Sequence, residues 1–86
     1  MKYHAKVQYL IDKVKTGEME PNWYVIQIDD DERSIHISFY PNKQIRFIYN
    51  FKNGRRHGNF YGWNEDGTKK YIRTYNNAKL IADINL

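Results

Sequence analysis

Apolar residues at Tyr3, Val7, Leu10, Ile11 and Val14 recur at the spacing of one helix face, while Lys2, Lys6, Gln8, Asp12, Lys13 and Lys15 fall on the opposite face. This pattern predicts an amphipathic helix over about residues 3 to 15. Thr16-Gly17 supplies its stop, and Lys13 and Lys15 sit where they suit the negative end of the helix dipole. So short a helix is marginal in water by itself, so its apolar stripe must dock on the rest of the chain.

Beyond Pro21 the period changes from that of a helix to that of a strand. Trp23 to Ile28 is a β-rich run that ends at the acidic cluster Asp29 to Glu32, read as a hairpin turn. Ile35, Ile37 and Phe39 then alternate with Ser34, His36 and Ser38, the signature of a half-buried strand. After the turn Pro41-Asn42-Lys43, Ile45, Phe47, Tyr49 and Phe51 alternate with Arg46, Ile48, Asn50 and Lys52. Asn53-Gly54 is a strong turn dipeptide. Strands follow at Asn59 to Trp63, at Lys69 to Tyr75 and at the end of the chain, where Leu80, Ala82, Ile84 and Leu86 share a face. Their connections are the turns Glu65-Asp66-Gly67 and Asn76-Asn77-Ala78.

Six strands joined by connections this short leave no room for parallel crossovers, which predicts an antiparallel meander. The fold class is mainly β, α+β in the loose sense: a helix over residues 1–17 packed as a cap, then a sheet over residues 22–86. One sheet face should lie under the helix. The other should carry tyrosines and basic side chains.

The chain has 86 residues, 41% of them hydrophobic and 16% aromatic, which suits one domain with a modest core and argues against disorder. It contains no cysteine, so disulfide stapling, thiolate catalysis and sulfur-ligated metal are excluded. No apolar run approaches the roughly 20 residues a membrane helix needs, and the expected location is cytoplasmic. A net charge of +4 points to acidic partners, yet the cations are scattered and the acidic cluster Asp29 to Glu32 offsets them.

The chain also repeats itself. Phe51 to Gly58 recurs 24 residues later as Tyr75 to Ala82, and in the residues leading in, Phe39 aligns with Trp63, Asn42 with Asp66, Arg46 with Lys70 and Phe47 with Tyr71. A repeat of this length is one supersecondary unit that needs its neighbours to make a core. The pattern of aromatic, Asn/Asp-Gly turn, polar strand and aromatic from Phe39 to Ile84 resembles the MORN-type repeats, in the variant of the YwqK-like antitoxin family. About half of the chain is covered. Lys43, Ala78 and Ala82 stand where that variant carries glycine. The resemblance implies a β-hairpin ladder without catalytic activity, of a kind described as scaffolds, interaction modules or lipid-associated proteins, and as neutralisers of a toxin partner.

Catalytic chemistry has no foothold in the pattern. His4, His36 and His57 show no ligand spacing, Asp29 to Glu32 lacks the alternation and glycine of a calcium loop, and the glycines are not followed by the Lys-Ser/Thr of a phosphate loop. No cofactor and no metal are expected. The expected function is a protein interaction or structural module, able to join a larger assembly such as a virion, that presents Tyr40, Arg46, Ile48, Arg55, Arg56, Tyr61, Lys70, Ile72 and Arg73 on the outer sheet face or uses its free edge. The alternative is binding of nucleic acid or an anionic lipid surface through Arg55, Arg56, Lys69, Lys70 and Arg73.

Overall fold

A computed structural model describes residues 2–28 and 32–86. The acidic turn expected at Asp29 to Glu32 lies, but for Glu32, outside the described residues. One helix, α1 (Ala5–Lys15), precedes six strands: β1 (Trp23–Ile28), β2 (Arg33–Phe39), β3 (Ile45–Lys52), β4 (Arg55–Trp63), β5 (Lys69–Asn76) and β6 (Lys79–Asn85). All strands pair antiparallel with their sequence neighbours in one open sheet, the meander predicted. No described helix is long and apolar enough to cross a membrane.

The helix starts later than the periodicity suggests, because His4 caps it: its Nδ1 accepts the Lys6 N–H at 3.1 Å. At the other end Gly17, at φ 82°, closes a Schellman turn in which Gly17 N–H donates to the Val14 carbonyl and Glu18 N–H to that of Lys13. Val7, Leu10, Ile11 and Val14 are buried against Ile37, Phe39, Ile48 and Trp63, with Tyr24, Ile26, Ile35, Ile45 and Tyr61 packed around them. The helix therefore lies across the face of β1 to β4. It does not cover the edge of the sheet, as an end cap would, and its apolar contacts stop short of β5 and β6.

Two turns 24 residues apart have the same construction. Tyr40 N–H donates to the Gln44 carbonyl and Lys43 N–H to that of Tyr40; Asn64, Thr68 and Gly67 repeat both bonds. Asn42 Oδ1 accepts the Gln44 N–H, and Asp66 Oδ1 accepts the Thr68 N–H, each at 3.0 Å. Lys43 and Gly67 both have positive φ, at 74° and 90°. The tight turns match too, with Asn53-Gly54 at φ 51° and 75° and Asn77-Ala78 at 47° and 71°.

Ala78 and Lys43 thus occupy left-handed backbone that glycine would adopt without strain; Ala82 does not. Ala78→Gly is expected to raise unfolding stability by about 1 kcal/mol, visible as a higher urea midpoint with unchanged slope. A lower midpoint would contradict the turn geometry.

Candidate functional site

Bulges decide which side chains the sheet presents. Between β2 and β3, Ser38 pairs with Phe47 but Phe39 with Ile45, leaving Arg46 as the extra residue. Strict alternation would put Ile45, Phe47, Tyr49 and Phe51 on one face. The bulge at Arg46 sends Ile45 to the helix side and then reverses the sense, so Ile48 enters the core and Phe47, Tyr49 and Phe51 emerge on the outer face. Lys70, the repeat equivalent of Arg46, is the extra residue between the pairs Gly62 with Tyr71 and Trp63 with Lys69. In β6 a third bulge, at Ile81, sets Leu80 opposite Tyr75 and so takes it off the face of Ala82 and Ile84 that strict alternation predicts.

The nine residues expected on one outer surface are accordingly divided. Ile48 is buried under the helix and Tyr61 is half-buried beside it, so neither belongs to an exposed face. Ile72 pairs with Tyr61 on that same side, beyond the reach of the helix. Arg55 pairs with Lys52 at the end of the sheet. Tyr40 ties its turn to the end of β4 by a hydrogen bond from its hydroxyl to the Trp63 carbonyl at 2.8 Å. Arg46 and Lys70 are the exposed bulge residues, and Arg46 lies over the Tyr40 ring. Only Arg56 and Arg73 stand squarely on the outer face, opposite Phe51 and Phe60.

What fills that face is a continuous aromatic cluster. Phe47 stacks on Tyr49 at 4.1 Å and 12° between planes, and Tyr49 on Phe60 at 4.4 Å and 15°. Phe60 meets Phe51 and Tyr75, while Trp23 meets Phe47 and His36 edge-on. Arg56 lies over the Tyr75 ring at 5.5 Å, and Arg73 over Tyr71 at 4.2 Å while bound to Asp83 at 3.2 Å. No helix covers this side, so the rings cover one another: Phe60 and Phe47 are buried by their neighbours, but Trp23 stays 59% exposed. The sequence signal for this second apolar face is the adjacent pairs Phe47-Ile48 and Tyr71-Ile72, which no strand with one polar face would contain.

No protein-family model, curated protein or solved structure matches the chain.

Two concavities lie on the outer face. One, of about 410 Å³, is lined by Trp23, His36, Tyr49, Phe51, Phe60 and Tyr75 with Arg56 and Arg73 at its rim. The other, about 180 Å³, lies between Arg46, Lys70, Tyr49 and Tyr71. The Tyr49 and Tyr71 hydroxyls share a hydrogen bond between them, and burial together with that bond pushes the Tyr49 phenol well above its usual range, so it stays protonated. Asp83, already bound by Arg73, is the one carboxylate that strand pairing places on this face among the described residues.

A larger cleft of about 480 Å³ sits between the start of the helix and the ends of β2 to β4, lined by His4, Arg33, Lys52, His57, Asn59 and Tyr61 among others. It brings together His4 and His57, which the sequence separates. Each imidazole accepts a backbone N–H at Nδ1, from Lys6 and from Asn77, which assigns the proton of the neutral ring to Nε2. Among the described residues no three His, Asp or Glu side chains group as metal ligands.

His36 couples the outer face to pH. Its Nδ1 accepts the Trp23 indole N–H at 3.2 Å, a bond that needs the neutral ring, and burial holds its pKa below the ordinary value. The unfolded chain therefore binds the proton more readily. Stability should be full above about pH 6.5 and decline as the pH falls through the lower folded-state value. Urea midpoints at about pH 7.5 and 5.0 test this, with His36→Gln expected to flatten the dependence; an equal slope in that variant would assign the effect elsewhere.

Proposed function

We propose that this protein is a non-catalytic interaction module whose outer aromatic face docks a protein segment carrying apolar side chains and carboxylates. The observation that carries this reading is the pairing of an uncovered aromatic cluster with a cationic rim. Arg46 and Lys70 flank one end, Arg56 and Arg73 the other, and the one carboxylate on this face among the described residues, Asp83, is already bound by Arg73. An acidic segment gains Coulomb energy at the rim and buries apolar area in the 410 Å³ hollow. The equivalence of the two turns and of the bulges at Arg46 and Lys70 is what a hairpin ladder of the MORN type would produce, and it supports that architecture for the module.

Ring geometry favours protein over nucleic acid. A base needs a free aromatic face to stack on. The faces of Phe47, Tyr49 and Phe60 are already turned on one another, which leaves mainly ring edges to a ligand. Edges bear partial positive charge and suit carboxylates and apolar side chains.

Peptides selected for binding from a random display library provide the test. Selected sequences are expected to combine Asp or Glu with bulky apolar residues, and Arg46→Glu with Arg56→Glu should weaken them at least tenfold, about 1.4 kcal/mol. Both arginines are exposed, so the fold should persist. Selection of peptides without acidic residues, or tighter binding of a single-stranded oligonucleotide with a steep salt dependence, would sink the proposal in favour of the nucleic-acid alternative.

A further inference from the structure

The open sheet leaves two edges, and the chain treats them differently. The β6 edge carries Lys79, Asp83 and the bulge at Ile81, devices that discourage a neighbouring strand. The β1 edge, Trp23-Tyr24-Val25-Ile26-Gln27-Ile28, has no charge and no proline. Its ladder with β2 runs without a register shift, whereas the other four strand pairings are each interrupted by one. It is an uncharged strand in unbroken register.

Hydrogen bonding shows which of its backbone groups are open. Phe39 N–H donates to the Asn22 carbonyl, and this sets the alternation: Tyr24, Ile26 and Ile28 bond to β2, while Trp23, Val25 and Gln27 turn their backbone groups outward. Both ends of the outward row are held within the chain. Asn22 Oδ1 accepts the Trp23 N–H at 2.9 Å, and Lys6 Nζ donates to the Gln27 carbonyl at 3.0 Å. Val25 remains at the centre with its N–H and carbonyl facing away from the sheet and its side chain 53% exposed.

We infer that β1 is a self-association edge, at which Val25 pairs with Val25 of a second copy about a two-fold axis to join the two sheets into one. Two-fold symmetry requires an antiparallel pair to be centred on one residue and its own copy. Centring on Val25 gives its N–H and carbonyl mutual partners, and overlap of the whole strands follows once Asn22 and Lys6 yield the Trp23 N–H and the Gln27 carbonyl, which pair with each other across the axis. Trp23 then faces Gln27 of the second copy on the outer side, and Tyr24 faces Ile26 on the helix side. No charged side chain of either β1 meets another, although each chain carries +4. Both helices lie on the same side of the joined sheet. The two aromatic faces become continuous through Trp23 and Val25.

Sedimentation equilibrium and cross-linking test this. The wild-type chain should form a concentration-dependent dimer and nothing larger. Val25→Lys should raise the dimer dissociation constant at least tenfold while melting like the wild type at concentrations low enough that both are monomers, and Leu80→Lys on β6 should leave it unaltered. Because the chain has no cysteine, Val25→Cys should oxidise to a disulfide-linked dimer and Leu80→Cys should not; Cα atoms of such a pair lie about 5.5 Å apart, within disulfide reach. A monomer at every attainable concentration, growth into open-ended assemblies, or cross-linking through position 80 in place of 25 would each overturn the inference. Should Val25→Lys fail to fold, the cysteine pair decides alone.

Discussion

The double variant Val7→Asp, Leu10→Asp is expected to lose its cooperative melting transition and to aggregate or run as an expanded chain on gel filtration. Both side chains are buried, at 2% and 5% exposure, in the one layer that joins α1 to the sheet. Removing each apolar group forfeits about 1.5 to 3 kcal/mol, and each unpaired carboxylate left there adds a further penalty of several kcal/mol. A domain of this size has a total margin on the order of 5 to 15 kcal/mol. The sum exceeds what the sheet can absorb. Gln8→Asp, on the exposed side of the helix, serves as the control: it exchanges a hydrogen bond to Asp12 for a like-charge pair worth about 0.5 kcal/mol, so it should keep a cooperative transition close to that of the wild type. If the double variant keeps the wild-type melting temperature as a monomer, the helix is not held as described and its stripe is a surface reserved for a partner.

Gly62→Ala should be the most damaging single-methyl addition in the sheet. Gly62 pairs with both Phe47 and Tyr71 on the outer face, and the Tyr71 ring lies directly over it. A Cβ built at position 62 would come within 2.2 Å of that ring. The ring has little room to yield, since its hydroxyl is bonded to Tyr49 and Arg73 packs over its face. A loss of about 1 to 3 kcal/mol follows from overpacking, measurable by urea denaturation. Tyr71→Ala in the same chain should recover part of it. A Gly62→Ala variant as stable as the wild type would mean that the Tyr71 ring does not rest there.

Much of the architecture was legible because period and turn chemistry agree. The stripe from Tyr3 to Val14 could only be a docked helix, and short turns at Asn53-Gly54 and Asn77-Ala78 could only join antiparallel strands. The outer face was not legible in the same way. A bulge inverts the sense of every residue beyond it, and nothing in the identity of Arg46 or Lys70 announces one. Alternation alone therefore exchanged the two sides of β3: it exposed Ile48, which is core, and hid Phe47, Tyr49 and Phe51, which line the candidate site. Of the basic residues anticipated there, Arg56 and Arg73 do stand on that face, opposite Phe51 and Phe60, although Phe51 itself lies beyond the bulge and alternation alone would have put it on the other side.

The reach of the helix has a consequence for the order in which the fold comes apart. Because α1 clamps β1 to β4 and stops there, the hairpin of β5 and β6 is held without it, by its ladder with β4, by rings on the outer side and by hydrogen bonds such as those from Thr74 to Asn59 and from Ala78 to Arg56. Every residue of β6 is exposed. Such a hairpin forms a separate cooperative unit with a lower opening free energy than the rest. Amide protons of β6 should exchange through that partial opening, well before those of Ile37 and Ile48, whose release requires the whole molecule to unfold. The protein is thus graded along its sequence, firm at the helix and loosest at its last strand.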